Sequence, residues 1–387
     1  MTDGPDELEL RATGCLAGAA VGDALGGPTE GHTPEAIQQR YGGPVTGIVG
    51  PFYPDWQTRR PASPYHKGDG HVTDDTLMTS LLVRAYAAKR DHLDAYDIAE
   101  LLVPMLLNDR VWIPELHEET IPLKRIFLAE KWLVTRLHYG HADPREAGVG
   151  NMVNCGAAMY MAPVGIVNAA DPGRAYAEAI DLAGAHQSSY GREAAGVFAA
   201  AVAAAMAPGA TVASVVSTCL DVARDGTRDA IAAVTERAAG QTDGLAAAAG
   251  LRAAMEPFDT VGDHYREPGP GARRPSRLHA IEELPVALGM LIIAAGDFRA
   301  AVLGGVNYGR DSDSIATMAG AISGALHGPA VIPPDWAAAV AEGSRLDLAA
   351  AGRTMAGVAR EVFQRDQGRQ QARAGAFSTL SEMAASA

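Results

Sequence analysis

Apolar and small residues recur at helical spacing along most of the chain, and no alternating strand pattern is sustained anywhere. Residues 11–26 place Gly14, Gly18, Gly22 and Gly26 four apart, which gives one nearly smooth helix face ending at Gly26-Gly27-Pro28. Four glycines each weaken a helix by roughly 1 kcal/mol against Ala, so the stripe predicts a compensating close contact with another helix. Leu77, Met78, Leu81, Leu82 and Ala85 form an apolar stripe behind Thr73-Asp74-Asp75-Thr76, with Thr73 as the expected cap. Residues 94–140 read as helices broken at Pro104, Pro114 and Pro122. Residues 148–166 read as a Gly-Asn turn entering a helix, a plausible anion-receiving N-terminus. Residues 174–206 read as two Ala-rich helices around His186, 211–254 as further helices, and 279–303 as a helix ending at Gly304-Gly305. Between these lie a proline- and aromatic-rich loop over 42–72 and a second loop over 256–277. The expected fold is all-α: a single compact multi-helix domain over residues 11–365, with residues 1–10 and 366–387 as loosely ordered termini.

Composition narrows the class. The chain has 387 residues, 48% hydrophobic and 20% charged, which argues against disorder. Its net charge of −14 makes nucleic acid an unlikely partner and anionic lipid a poor one. Cys15, Cys155 and Cys219 form neither a zinc pattern nor a disulfide framework. Reduced thiols, no signal-peptide pattern at the N-terminus and no run of about 18 apolar residues lead to an expected cytoplasmic protein without a membrane span.

The candidate chemistry lies in two acidic helix starts. Asp311-Ser312-Asp313-Ser314 precedes an Ala- and Gly-rich helix, and Thr73-Asp74-Asp75-Thr76 precedes another. A single such segment is often only a cap, because anions favour helix N-termini. Two of them, with Glu30 after the first helix, would bring five carboxylates together if they converged. That charge is costly to bury unless cations offset it, and hard oxygen ligands suit Mg2+, Mn2+ or Ca2+. An EF-hand does not fit, because the distal Glu and the loop Gly are missing at their spacing. His186 alone reads more readily as a structural histidine than as a ligand or base.

Three motifs in order carry a family resemblance: Gly14-Cys15-Leu16-Ala17-Gly18 through Asp23 to Glu30, Thr73-Asp74-Asp75-Thr76, and Asn307-Tyr308-Gly309 through Asp311-Ser312-Asp313-Ser314 to Gly320. The chain resembles the ADP-ribosylglycohydrolase family, which includes dinitrogenase-reductase-activating glycohydrolase and the ADP-ribosyl-acceptor hydrolases. The resemblance implies an all-α fold with two Mg2+ (or Mn2+) ions. It places Thr73, Asp74, Asp75, Asp311, Asp313 and Ser314 at metal-ligand positions. Glu30 falls at the acidic position near the metals, associated with water activation or metal gating, and Asp74 and Asp75 are counted with it as catalytic. Asn154, Gly156 and His186 are the substrate-side candidates. The chain departs from the family pattern at Ser314, where Thr is usual, at Tyr160 in an arginine's place, and at His186-Gln187-Ser188. The implied activity is metal-dependent hydrolysis of the C1 glycosidic bond of an ADP-ribosyl group. The implied partner is an ADP-ribosylated protein or a small ribosyl-containing substrate. Hydrolysis of a small N- or O-riboside without the diphosphate, and a non-catalytic crystallin-like binding protein, are the alternatives.

Overall fold

The computed structural model describes residues 4–59, 65–258 and 278–385. Helix Glu7–Gly26 runs through the middle of the molecule and packs along helix Ser312–His327. The glycine stripe explains the pairing. A β-carbon on Gly14, Gly18 or Gly22 would overlap the carbonyl oxygen of Gly324, Gly320 or Ala316 respectively. The two helices therefore meet backbone to backbone, as the stripe predicts. Fourteen residues of the first helix are buried, which sets it in the core.

The remaining helices surround this pair. Helix Asp74–Lys89 starts where expected, and Thr73 caps it by accepting from the Asp75 amide at 3.3 Å. Helices Pro172–Gly184 and Ser189–Ala205 flank His186, and three helices fill 211–254, namely Val212–Val222, Asp225–Ala238 and Gly244–Met255. Helix Ala350–Ala385 closes the described chain, and its residues 367–381 are exposed.

Two expectations about elements are corrected. The helical pattern over 94–140 contains a small antiparallel hairpin, Val111–Ile113 paired with Glu118–Thr120. Strands of three residues are too short to show alternation. The helix stop at Gly304-Gly305 is absent, since helix Phe298–Tyr308 runs through both. Their missing side chains serve packing: a β-carbon on Gly304 would lie 2.6 Å from the Met290 sulfur, and one on Gly305 would lie 3.2 Å from the Ala316 amide nitrogen. The break falls instead between Leu278–Ile293 and Phe298–Tyr308, where Asp297 caps the second helix. The loop over 42–72 is irregular in its described part, and residues 60–64 lie outside the described residues, as do residues 259–277 of the second loop. Among the described residues no helix is long and apolar enough to cross a membrane.

Candidate active site

The end of the first helix builds one wall of the site. After Gly26 the chain makes a short turn, Gly27–Thr29, whose Thr29 hydroxyl contacts Gly26 O at 3.0 Å, Val306 O at 2.9 Å and the Ser312 hydroxyl at 2.9 Å. Ser312 in turn donates to Gly26 O at 3.0 Å. The Gly31 amide donates to Arg310 O at 2.6 Å, and the Arg310 amide donates back to His32 O at 2.9 Å. Gly309 makes this approach possible. Its φ is +73°, and a β-carbon there would overlap the His32 carbonyl. These contacts bring Glu30 beside the second acidic segment, and one oxygen from each of Glu30, Asp311 and Asp313 falls within a 4.8 Å cluster.

Asp23 positions the other segment. Its buried carboxylate accepts from the Thr73 amide at 3.0 Å, the Thr73 hydroxyl at 2.7 Å, the Thr76 amide at 3.1 Å and the Thr76 hydroxyl. The run Thr-Asp-Asp-Thr thus uses both threonines to grip Asp23 and leaves its two acids at the pocket. Asp74 is held by Arg125 Nη1 at 3.0 Å and by the Phe127 amide at 3.1 Å. Arg125 is itself buried and also pairs with Glu115.

One pocket is lined by Glu30, Asp74, Asp75, Phe127, Glu130, Asn154, Cys155, Gly156, Met159, Asp311, Asp313 and Ser314. Thr73 stands just behind it, fully buried, with its hydroxyl turned to Asp23. Asn154 accepts from the Gly156 amide at 3.1 Å and from Gln187 at 2.8 Å. His186 is not on the pocket wall. It is fully buried behind Glu130, between the Tyr160 hydroxyl at 3.1 Å and Ala129 O at 3.0 Å. Burial pushes its imidazole down to about 3, so the ring is neutral at physiological pH.

The electrostatics are those of a site short of positive charge. Burial, and then the charges of Asp313, Asp23, Asp74 and Asp311, hold the Asp75 carboxyl well above the carboxylate range. Asp23 is pushed up to about 6 by burial and by Asp313, and Glu130 to about 8 by burial and by Asp74. Lys67 answers part of this charge, as its ammonium pairs with Glu30 and lies 3.7 Å from Asp313.

Asp75 Oδ1 is buried and has no hydrogen-bond partner among the described residues. Such an orphaned carboxyl oxygen is expensive in a protein interior. Together with the oxygen-only donor set of Glu30, Asp311 and Asp313, it fits hard divalent cations. The residues present therefore suit the metal ions that the sequence implies.

Several pocket residues carried no signal in the sequence. Glu130 and Phe127 lie in and before the short helix Leu128–Leu133, where one acid and one aromatic look like ordinary surface and core positions. The Cys155 thiol lies 3.3 Å from both Asp311 Oδ2 and the Ser314 hydroxyl, and burial pushes it well above the usual thiol range. Glu283 sits behind Asp311 with both carboxylate oxygens unpartnered among the described residues. Burial and Asp311 hold its carboxyl well above the usual carboxylate range.

The family model for ADP-ribosylglycohydrolase matches residues 4–372. An uncharacterized protein of Archaeoglobus fulgidus is 29% identical over 332 residues, covering 85% of this chain and 91% of its own length. The uncharacterized protein YegU of Escherichia coli K12 is 25% identical over 346 residues, covering 87% and 94%. A solved structure described as an ADP-ribosylglycohydrolase-related protein complex shares the fold, with a TM-score of 0.58 at 18% identity, over 92% of this chain and 99% of its own.

Proposed function

The chain belongs to the ADP-ribosylglycohydrolase family and is a glycosyl hydrolase; from that premise we propose that it cleaves the C1 glycosidic bond linking an ADP-ribosyl group to its acceptor. The observation that carries this reading is the convergence of Glu30, Asp311 and Asp313 within 4.8 Å, beside the unpartnered Asp75 oxygen. In this reading Asp74, Asp75, Asp311, Asp313 and Ser314 would hold two Mg2+ or Mn2+ ions, and Thr73, behind the wall, would join them only through the lone pair that its contacts with Asp23 and the Asp75 amide leave. Bound there, the ions supply positive charge that orients ribose hydroxyls and a water molecule.

The chain's own groups do the rest. Cleavage at a ribosyl C1 passes through an oxocarbenium-like state, which an anionic wall stabilises. Glu30 takes the proton from the attacking water. Lys67 holds Glu30 in place and offsets part of the charge of Asp313. Glu130, protonated near neutral pH, offers its proton to the departing acceptor atom. Arg125 fixes Asp74, and Phe127 and Met159 supply the apolar part of the wall.

A second reading is hydrolysis of a small N- or O-riboside. It is favoured by the pocket wall, which is acidic and apolar and shows no arginine fork for a diphosphate among its described lining residues. Product release from arginine- and serine-linked ADP-ribose, O-acetyl-ADP-ribose and simple ribosides, with Mg2+ or Mn2+ and after chelation, separates the two. Metal-dependent release of ADP-ribose supports the first reading. Turnover of simple ribosides alone replaces it with the second. Turnover that survives full chelation overturns the metal-dependent reading.

A further inference from the structure

Outside the acidic pocket, three imidazoles meet at the base of the loop that leads into Thr73. His66 and His71 lie in that loop, and His117 occupies the left-handed turn of the hairpin, with φ of +56°. One ring nitrogen from each falls within a 4.8 Å cluster, and the ring centroids are 4.4, 4.8 and 5.0 Å apart. We propose that His66, His71 and His117 form a binding site for a transition-metal ion of the Zn2+ class, separate from the acidic pocket.

Hydrogen bonds set the ring tautomers for this role. His66 Nε2 lies 2.7 Å from Asp69 Oδ2, so it carries the proton and leaves Nδ1 as the free lone pair. His71 Nδ1 lies 2.9 Å from His66 O, and since a carbonyl only accepts, Nδ1 carries that ring's proton and Nε2 is left as the lone pair. A carboxylate or carbonyl behind a ligating imidazole is the usual outer support of a metal site, because it fixes the tautomer and raises the ring's basicity. His66 Nδ1 points at His117 Nε2 across 2.7 Å. Around zinc, nitrogens at about 2.0–2.1 Å from the metal stand roughly 3.4 Å apart, so a small ring movement admits the ion. A shared proton can join His66 to His117, but it does not use the third ring.

The donor set decides the class of metal. Three neutral imidazoles without a thiolate suit Zn2+ and its neighbours, whereas Mg2+ prefers oxygen. His71 is buried, His66 half-buried and His117 exposed, so the cluster lies at the protein surface. Trp56 covers the cluster, with its ring 5.2 Å from His66 and 5.7 Å from His117. The ion would clip the loop to the hairpin, which are already joined by the His66 amide to Glu115 O at 3.0 Å. The clip sits next to Lys67, which pairs with Glu30, and beside Glu115, which pairs with the Arg125 that holds Asp74.

The test uses the full chain without a histidine tag, stripped of metal and kept in excess Mg2+. Zn2+ is titrated in competition with a chromophoric chelator, and Co2+ is added separately as a spectroscopic probe. The expected result is one tight Zn2+ per chain and a Co2+ spectrum of tetrahedral type. Affinity should fall at least a hundredfold in the His66→Gln/His117→Gln double variant and stay unchanged in Asp313→Asn. The single variant His117→Gln, at an exposed turn, guards against misfolding. Zn2+ should raise the thermal midpoint of the wild type and fail to raise that of His117→Gln. Zn2+ binding that is absent, that survives the double variant, or that is lost in Asp313→Asn instead overturns the proposal.

Discussion

Gly26 lies directly against the backbone of Asp313: a β-carbon on it would overlap the Asp313 Cα and fall 2.6 Å from its amide nitrogen. The last turn of the first helix therefore sets the position of an acid in the pocket. Gly26→Ala must displace one of the two helices, and overpacking of this kind costs about 1–3 kcal/mol. Gly357→Ala is the control, because no described atom beyond its chain neighbours and its own helix backbone lies within 4 Å of its β-position in helix Ala350–Ala385. That change should be neutral or stabilise by up to about 1 kcal/mol. Urea unfolding measures both, and the glycosidase assay should fall only for Gly26→Ala. Equal stability of the two variants would show that the helices do not meet as described.

Asp75 is crowded by the charges of Asp313, Asp23, Asp74 and Asp311, and its Oδ1 has no partner among the described residues. Without divalent ions the wild type must either bury this charge or take up a proton on folding, and Asp75→Asn avoids both at constant shape. Its thermal midpoint in chelator should therefore exceed that of the wild type, by roughly 2 °C for each kcal/mol relieved in a chain of this size. Added Mg2+ or Mn2+ at a hundred times its Kd should stabilise the wild type by about 2.7 kcal/mol and the variant much less. Turnover should be lost in the variant. Differential scanning fluorimetry with and without metal reads the first two effects. A variant that is destabilised in chelator and still gains from metal would remove Asp75 from the metal site.

Some of this was readable before any coordinates. The acidic helix starts are local patterns, and each behaves locally as read: Thr73 caps its helix, and Asp313 and Ser314 open theirs. The glycine stripe also announced a close helix partner, though not which one. What could not be read is charge that becomes meaningful only through long-range burial. Arg125 looked like one basic residue in a proline-broken stretch, yet it bridges Glu115 and Asp74 with 3% of its surface exposed. Lys67 lay in a loop that looked notable only for its aromatics, yet it reaches across to Glu30. His186 carried a visible signal, but its environment places it behind the wall rather than on it.

The three cysteines should be inert in the folded protein. Cys15, Cys155 and Cys219 are all buried and unpaired. Burial raises each thiol above its usual range, Cys219 to about 12, and the neighbouring Asp311 adds to the effect at Cys155. A thiolate is the reactive form, so a thiol-specific disulfide reagent at pH 8 should label none of them natively and all three after denaturation. Rapid native labelling of Cys155 would mean that the pocket opens far enough to ionise it, and would reopen a nucleophilic role for sulfur there.

His186 should impose a pH dependence on stability. Its Nε2–H donates to Ala129 O and its Nδ1 accepts from the Tyr160 hydroxyl, so the neutral ring is fully used. Burial lowers its folded value to about 3, against an unfolded value near 6.5. The unfolded chain therefore binds more protons between those values. Stability from this group is complete above about pH 6.5 and is lost as pH falls, by about 2 kcal/mol at pH 5. Glu130 acts in the opposite sense, since burial raises it to about 8 and its contribution is lost as pH rises. That slope is common to the wild type and to His186→Asn, so the difference between the two proteins isolates the histidine. Denaturant midpoints at pH 7.5 and pH 5 should converge on acidification, because only the wild type has an imidazole to protonate. Parallel curves would mean that the ring titrates in the folded protein as it does in the unfolded chain, and midpoints that diverge on acidification would mean that His186 is already charged when folded, which would place an ionised Glu130 beside it and withdraw the proton that the proposed mechanism assigns to that acid.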